Sequence, residues 1–395
     1  MLSMFGYGKV AKAIVSTYKA GEWEIFDDAF TNISKDEFGN KLLPSSEFNP
    51  SKSTCEVVSP GIKPTNNLCQ KALHLTSEID FYYEAMPLSI WVSGTNGKTT
   101  TTQMISHLLD IEAGANIGTP VALMDLKKPL IVLELSSFAL HYTKIARPEI
   151  YALLPIEDDH ASWHGSFSEY EKAKLSPIYR MNKTASIIVP KKYEKTLENI
   201  NCIKYFYENS SDLANIFEID KSRLNYEEPF LLDAVLALAT AKIISAKIDY
   251  EKINAFKIGG HRKETFKDKL GRTWVNDSKA TNISAALAAI KSYDKPIHLI
   301  AGGDEKGQDL NEFFKVLPKN IKLYLIGKKD FSDLAKSHGL SPIRTNLKDA
   351  VNLIYKDLKI NEIALLSPAC ASLDEFSSYE QRGNDFKNYV KELDA

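Results

Sequence analysis

Short runs of β-branched and aromatic residues alternate along this chain with longer stretches of helical periodicity, the pattern of layered α/β structure. The chain opens with a predicted strand at 2–5, a Gly6-Tyr7-Gly8 turn and a helix over 10–18. Strands follow at 23–26, ending on Asp27-Asp28, and at 56–58, ending on Ser59-Pro60-Gly61. Between them, 34–53 is rich in Pro, Asn, Ser and Lys and predicts short strands and loops. A second group starts near Ser89, with strands at 90–93, 129–133, 150–154 and 185–189. Its helices fall at 99–109, 168–174 and, rich in Ala and Leu, 230–244. Gly259-Gly260 marks a hinge, because paired glycines reach backbone angles closed to other residues. Beyond it, strands at 273–276, 297–301, 322–326 and 363–366 alternate with helices and predict a third, mostly parallel sheet. No repeat of 20–50 residues is visible, which argues against solenoids and propellers.

Length agrees with this grouping: 395 residues at roughly 150 per domain is two or three domains. The motifs select three, at 1–88, 89–258 and 259–395. With 49 basic and 51 acidic residues the formal charge is −2, which argues against a nucleic-acid partner held by bulk charge. No apolar run approaches the roughly 18–20 residues of a membrane span, and no signal-peptide pattern opens the chain. The expectation is a soluble cytoplasmic protein, read as a monomer. Cys55, Cys69, Cys202 and Cys370 form no CxxC pair and read as reduced thiols.

The strongest chemical signal is Val92-Ser93-Gly94-Thr95-Asn96-Gly97-Lys98-Thr99-Thr100. A strand enters a glycine-containing loop that leads into Lys-Thr and a helix. Backbone N–H groups of such a loop, with the positive helix end, cradle phosphates. Lys98 reaches the outer phosphates and Thr99 offers a hydroxyl to magnesium. The strict pattern has Gly where this chain has Val92, but the strand–loop–helix context is intact. Glu134, ending a buried strand downstream, is placed as a magnesium-positioning carboxylate. Read alone, a strand-terminal glutamate is as well explained by solvation.

These residues resemble the Mur ligases and folylpolyglutamate synthetases. Asn116-Ile117-Gly118-Thr119-Pro120, Leu133-Glu134-Leu135-Ser136-Ser137-Phe138, Glu157-Asp158-Asp159-His160 and Ala173-Lys174-Leu175 keep the order of that family's central domain. Gly260-His261-Arg262, Asn276-Asp277-Ser278-Lys279-Ala280-Thr281-Asn282, Gly302-Gly303-Asp304 and Ser367-Pro368-Ala369-Cys370-Ala371-Ser372-Leu373-Asp374 resemble the D-glutamate-adding branch of the Mur ligases. The Asp-Asn-Pro-Arg motif of the diaminopimelate-adding branch is absent. The resemblance spans nearly the whole chain and is weakest over 181–226.

It implies an α/β fold of three domains. The first is Rossmann-like, the second a P-loop ATPase-type sheet, mostly parallel with flanking helices, and the third Rossmann-like again. It also implies an ATP-dependent ligase adding D-glutamate to UDP-N-acetylmuramoyl-L-alanine in peptidoglycan precursor synthesis, with two Mg2+ ions. Gly94, Thr95, Asn96, Gly97, Lys98, Thr99 and Thr100 would hold ATP. Thr99, Glu134, His160 and Lys174 would serve the metals, Lys174 as a carbamate formed with CO2. Arg262 would swing onto the phosphates, and Asp277 would meet the ribose. Gly8, Lys9, Val10, Asp27, Gly61, Asn116 and Ser136 would contact the UDP-sugar substrate. Lys279, Thr281, Lys306, Ser372, Leu373 and Tyr379 would contact the amino acid.

Several positions depart from the family. Tyr379 stands where Phe is usual, and the loop between His160 and Lys174 is one residue shorter. Pro229-Phe230-Leu231-Leu232-Asp233 replaces the usual adenine segment, leaving Asp233 to face the adenine amine. Ala11 replaces the third glycine of the first turn, which leaves Gly6-Tyr7-Gly8 a weak signal, and a dinucleotide reading is disfavoured because the domain is under 90 residues and runs straight into an ATP-binding unit. Three other readings compete: a folylpolyglutamate-type ligase, a P-loop switch acting on a protein, and an inactive nucleotide-binding module.

Overall fold

A computed structural model describes residues 1–394. The chain packs as two compact units, one of residues 1–156 with 163–256, the other of 157–162 with 257 onward.

The first unit holds two six-stranded sheets. The N-terminal sheet runs Ser34–Lys35, Lys41–Pro44, Trp23–Asp27, Leu2–Phe5, Cys55–Val58, Leu75–Thr76 in spatial order. The other runs Ile203–Tyr207, Ser186–Pro190, Ile150–Leu153, Leu88–Ser93, Leu130–Glu134, Glu112–Ala115, all parallel. Its central strands are apolar on both faces because helices cover both. Val92, Val132 and Ala152 face the helices Lys98–Leu109 and Phe230–Ser245. Trp91, Leu133 and Leu153 face the opposite layer, with Tyr170 and Leu175 of helix Phe167–Leu175. All six strand residues are fully buried, each contributing about 1.5–3 kcal/mol if its side chain is large. Helix Phe230–Ser245 is buried without a break from Asp233 to Ala241, so it lacks the amphipathic stripe of a surface helix.

The second unit is built on Glu264–Lys267, Thr273–Asn276, Ile363–Leu366, Ile297–Gly302, Lys322–Ile326, Ile343–Arg344, with only the first strand antiparallel. Registers pair Asn276 and Ile300 with Leu366, and Gly302 with Ile326. The loops after these strands therefore leave one edge of the sheet together, where open α/β sheets place their ligands. All four cysteines are free thiols. Among the described residues no helix is long and apolar enough to cross a membrane.

Candidate active site

Strand Leu88–Ser93 delivers the phosphate loop at the carboxyl edge of the second sheet, and Lys98 opens the next helix. The loop is tied to its neighbours: Thr95 N–H donates to the Pro155 carbonyl at 3.0 Å, and the Thr95 and Tyr170 hydroxyls are 2.9 Å apart. Lys98 Nζ lies 2.7 Å from the Thr95 carbonyl and 3.1 Å from that of Gly94. Gly97 has φ of 81°, and a Cβ there would lie 2.2 Å from Asp233 Oδ1. Only glycine fits this approach. Asp233 itself is buried and accepts from the Thr101 hydroxyl at 3.1 Å. Its carboxylate thus braces the loop. Thr100 is buried, while Asn96 and Thr99 are partly exposed.

Lys174 reaches the same loop from helix Phe167–Leu175. The residue is 1% exposed, and its ammonium donates to the Gly94 carbonyl at 2.7 Å and to Ser93 Oγ at 3.3 Å. It also lies over the Tyr170 ring, 4.9 Å from the centroid.

Register sets Glu134 opposite Val92 and Ala115, which brings Asn116 beside it. Asn116 Nδ2 donates to Glu134 Oε1 at 2.6 Å. Glu134 Oε2 is buried with no hydrogen-bond partner. An orphaned carboxylate oxygen in the interior is costly unless a cation or donor reaches it. Glu134, Asn116, Ser136 and Val10 all line one cavity of about 50 Å³, together with Glu78. Burial pushes the Glu78 carboxyl up to about 7. Among the described residues no three His, Cys, Asp or Glu side chains gather as a metal cluster.

In the N-terminal sheet, Asp27 accepts from the Tyr7 and Ala29 amides, each at 2.9 Å. Asp27 and Gly61 border a cleft of about 330 Å³ with Lys63 and Asn66. Gly8 caps the first helix, and the Lys9 ammonium donates to the Gly118 carbonyl. That contact ties the two sheets of this unit, as do Tyr142 to Ile62 and Trp163 to Gly61.

The second unit carries the remaining candidates. Asp159 is buried; it accepts from the His160 amide at 2.8 Å and from Asn282 Nδ2 at 3.3 Å. The His160 ring lies 3.6 Å from the same carboxylate. Asp277 accepts from the Lys263 amide at 3.1 Å and from the Ser367 hydroxyl at 2.8 Å. It therefore fixes the turn of His261, Arg262 and Lys263, whose first and last members have φ of 63° and 48°. Burial raises the Asp277 carboxyl to about 7. Lys279 Nζ lies 3.3 Å from the Tyr379 hydroxyl and over its ring, and the Thr281 amide donates to the Lys279 carbonyl. The Lys306 amide donates to Asp304, whose loop bridges Ala371. Ser372 is buried next to Ala371, whereas Leu373 is 70% exposed.

Residues 92–228 match the Mur ligase middle domain. The UDP-N-acetylmuramoylalanine–D-glutamate ligase of Campylobacter jejuni is 48% identical over 99% of this chain and 100% of its own. The chain belongs to the Mur ligase family, among the UDP-N-acetylmuramoylalanine–D-glutamate ligases. The enzyme of the same name from Helicobacter pylori is 44% identical over 98% of this chain and 99% of its own. The crystal structure of a MurF ligase from Thermotoga maritima with ADP superposes with a TM-score of 0.60 at 14% identity, covering 86% of this chain and 90% of that one. At that identity the Mur ligase fold is what the likeness shows.

Within this family frame, three functional-looking residues escape sequence reasoning. Asp159 and Ser367 sit inside quoted motifs, with nothing in their spacing to mark them as buried partners. Arg382 does leave a signal: on the last helix it falls in the buried stripe with Phe386 and Val390, at i, i+4 and i+8. An arginine in an apolar stripe is rare enough to flag.

Proposed function

We propose that this chain is an ATP-dependent ligase that joins D-glutamate to UDP-N-acetylmuramoyl-L-alanine, releasing ADP and phosphate. The observation that carries the reading is the phosphate loop with Lys98 at a helix start beside the unpartnered carboxylate oxygen of Glu134. The substrate pair is supported by the full-length similarity to relatives named for that reaction.

A carboxylate does not expel oxide, so amide formation needs an activated acyl group. ATP supplies it by phosphorylating the carboxylate, and the amino-acid nitrogen then adds to give a tetrahedral intermediate that loses phosphate. The chain's part is positioning and charge neutralisation. Lys98 and the amides of 94–97 hold the phosphates, and the Thr99 hydroxyl completes the cradle. In the other unit, the turn that Asp277 fixes presents the Arg262 cation, which would suit an anionic group. Asn116 orients Glu134 through Oε1 and leaves Oε2 for a cation. Glu134 and Thr99 are hard oxygen donors and fit magnesium. Bound magnesium would offset the repulsion between the carboxylate and the γ-phosphate.

Lys174 is set to become a carbamate under this reading. Its ammonium now donates to Gly94 and Ser93. Carbamate formation from the neutral amine and CO2, with loss of a proton, would leave Nζ a single N–H donor in place of three and replace a cation with an anion. Asp27 and Gly61 would receive the uridine end, and Lys279, Lys306, Ser372 and Tyr379 the amino acid. Handling ATP and a UDP-linked precursor fits a cytoplasmic protein, with the three divisions 1–88, 89–258 and 259–395 serving the three substrates.

Phosphate release should require ATP, UDP-N-acetylmuramoyl-L-alanine and D-glutamate together. Equal turnover with L-glutamate and a folate acceptor would replace this reading with a folylpolyglutamate-type ligase. Hydrolysis without any amino acid would favour a P-loop switch.

A further inference from the structure

Helix Tyr379–Asp394 buries Arg382 on the same face as Phe386 and Val390. The residue is 1% exposed, and among the described residues its guanidinium pairs with no carboxylate. Instead it forks between two loops. Nε donates to Ser278 Oγ at 3.0 Å and Nη2 to the Ser278 carbonyl at 2.8 Å. On the other side Nη2 donates to the Cys370 carbonyl at 3.1 Å and Nη1 to the Ala371 carbonyl at 3.3 Å.

A third loop joins through Ala371. Ala371 and Asp304 exchange amide–carbonyl bonds of 2.8 and 3.1 Å. A Cβ on Gly303 would lie 2.3 Å from the Ala371 carbonyl and 3.4 Å from Arg382 Nη1, so only glycine allows this packing. Ser278 Oγ also donates to the Tyr379 carbonyl at 2.9 Å, closing the circuit on the helix that holds the arginine. Arg382 thus ties loops 277–281 and 370–374 directly and loop 302–306 through Ala371. They leave the same sheet edge and carry Lys279, Thr281, Lys306, Ser372 and Leu373.

Filling the core does not require a guanidinium: methionine or leucine would do so without desolvating a charge. Burial lowers its pKa to about 10, and it stays protonated near neutrality. A planar fork is the side chain that can bind several fixed carbonyls at once. We propose that Arg382 is a positioning residue for the incoming amino acid, clamping the three loops from which its two carboxylates are bound. This rests on the ligase reading above, and it assigns the selection of a dicarboxylic amino acid to loop geometry set from beneath.

The test compares the full-length chain with Arg382→Met, Arg382→Lys and Ser278→Ala. Each is assayed for phosphate release while D-glutamate, ATP and the UDP-substrate are varied separately. Arg382→Met should raise KM for D-glutamate about tenfold or more, with both nucleotide KM values held within about twofold. Arg382→Lys should fall between Met and the wild type, because it keeps the charge and loses the fork. Ser278→Ala should raise KM for D-glutamate about threefold, and it carries the test if Arg382→Met does not fold. Amide hydrogen exchange should speed up at 277–281, 303–306 and 370–374 and not in strands Ile297–Gly302 and Ile363–Leu366. An unchanged KM for D-glutamate overturns the proposal, as does a uniform loss in all three KM values with faster exchange throughout the unit. A wild-type chain inactive with D-glutamate refutes the ligase reading instead, and the exchange pattern still judges the clamp.

Discussion

Lys174 and Arg382 are both 1% exposed, and each donates to backbone carbonyls at the edge of a parallel sheet. They differ in how the donors are spread. Lys174 reaches one stretch, Ser93 and Gly94, through its single nitrogen. Arg382 spans two loops through three nitrogens. An ammonium is a point charge on a flexible stem that can lose its proton and, as the neutral amine, add to CO2; a guanidinium keeps its charge and its plane. Under the proposed function, the cation beside the phosphate loop is one that can change, and the cation beneath the amino-acid loops one that cannot.

Lys174→Ala should sharpen this contrast most. It should lower phosphate release by about 10²–10³-fold, and added acetate or formate should restore part of the loss by supplying the missing anion. The same carboxylates should do nothing for Arg382→Met, whose defect lies in KM for the amino acid. Full activity of Lys174→Ala would remove the chemical half of the comparison. Next in size is Glu134→Gln, which keeps the shape and the bond from Asn116 but loses the charge. Activity should fall about 10–10²-fold and the half-saturating magnesium concentration should rise, with UDP-substrate affinity unchanged. Titrating magnesium against phosphate release measures both, and an unchanged magnesium dependence would remove Glu134 from the metal site.

Much of this architecture is legible in the chain. The central strands 88–93, 130–134 and 150–153 stand out because they are buried on both faces and read as continuous apolar runs. Strands Thr273–Asn276, Lys322–Ile326 and Ile363–Leu366 fall at the expected bounds for the same reason. Edge strands are less visible. Glu112–Ala115 contains a glycine and no β-branched residue, and Ile203–Tyr207 is only partly buried, so neither carries a clear period. The phosphate loop is legible because its chemistry constrains contiguous residues. The support beneath it is not, since Asp233 meets Gly97 across more than a hundred positions of sequence. Asp233, expected at the adenine, also accepts from the Thr101 hydroxyl, a contact nothing in its spacing signals.

The last expected effect concerns a buried acid, Asp277, set against these buried cations. Folding raises its pKa from 3.8 to about 7, chiefly through burial, against the pull of Lys263 and Arg262. Between those values the native state keeps the proton that the unfolded chain has released. The native state then binds more protons, so this group makes stability fall as pH rises from about 4 to about 7. An asparagine at this position would carry no such proton and could still accept from the Lys263 amide or meet the Ser367 hydroxyl. Asp277→Asn should therefore flatten the decline in stability over that interval by roughly 3 kcal/mol, since each pKa unit of difference corresponds to about 1.4 kcal/mol. Urea midpoints at pH 4.5 and 7 for the two proteins decide the point. Parallel declines would mean that Asp277 is ionised in the folded chain, and that the turn bearing Arg262 is held by an ion pair rather than by a protonated acid.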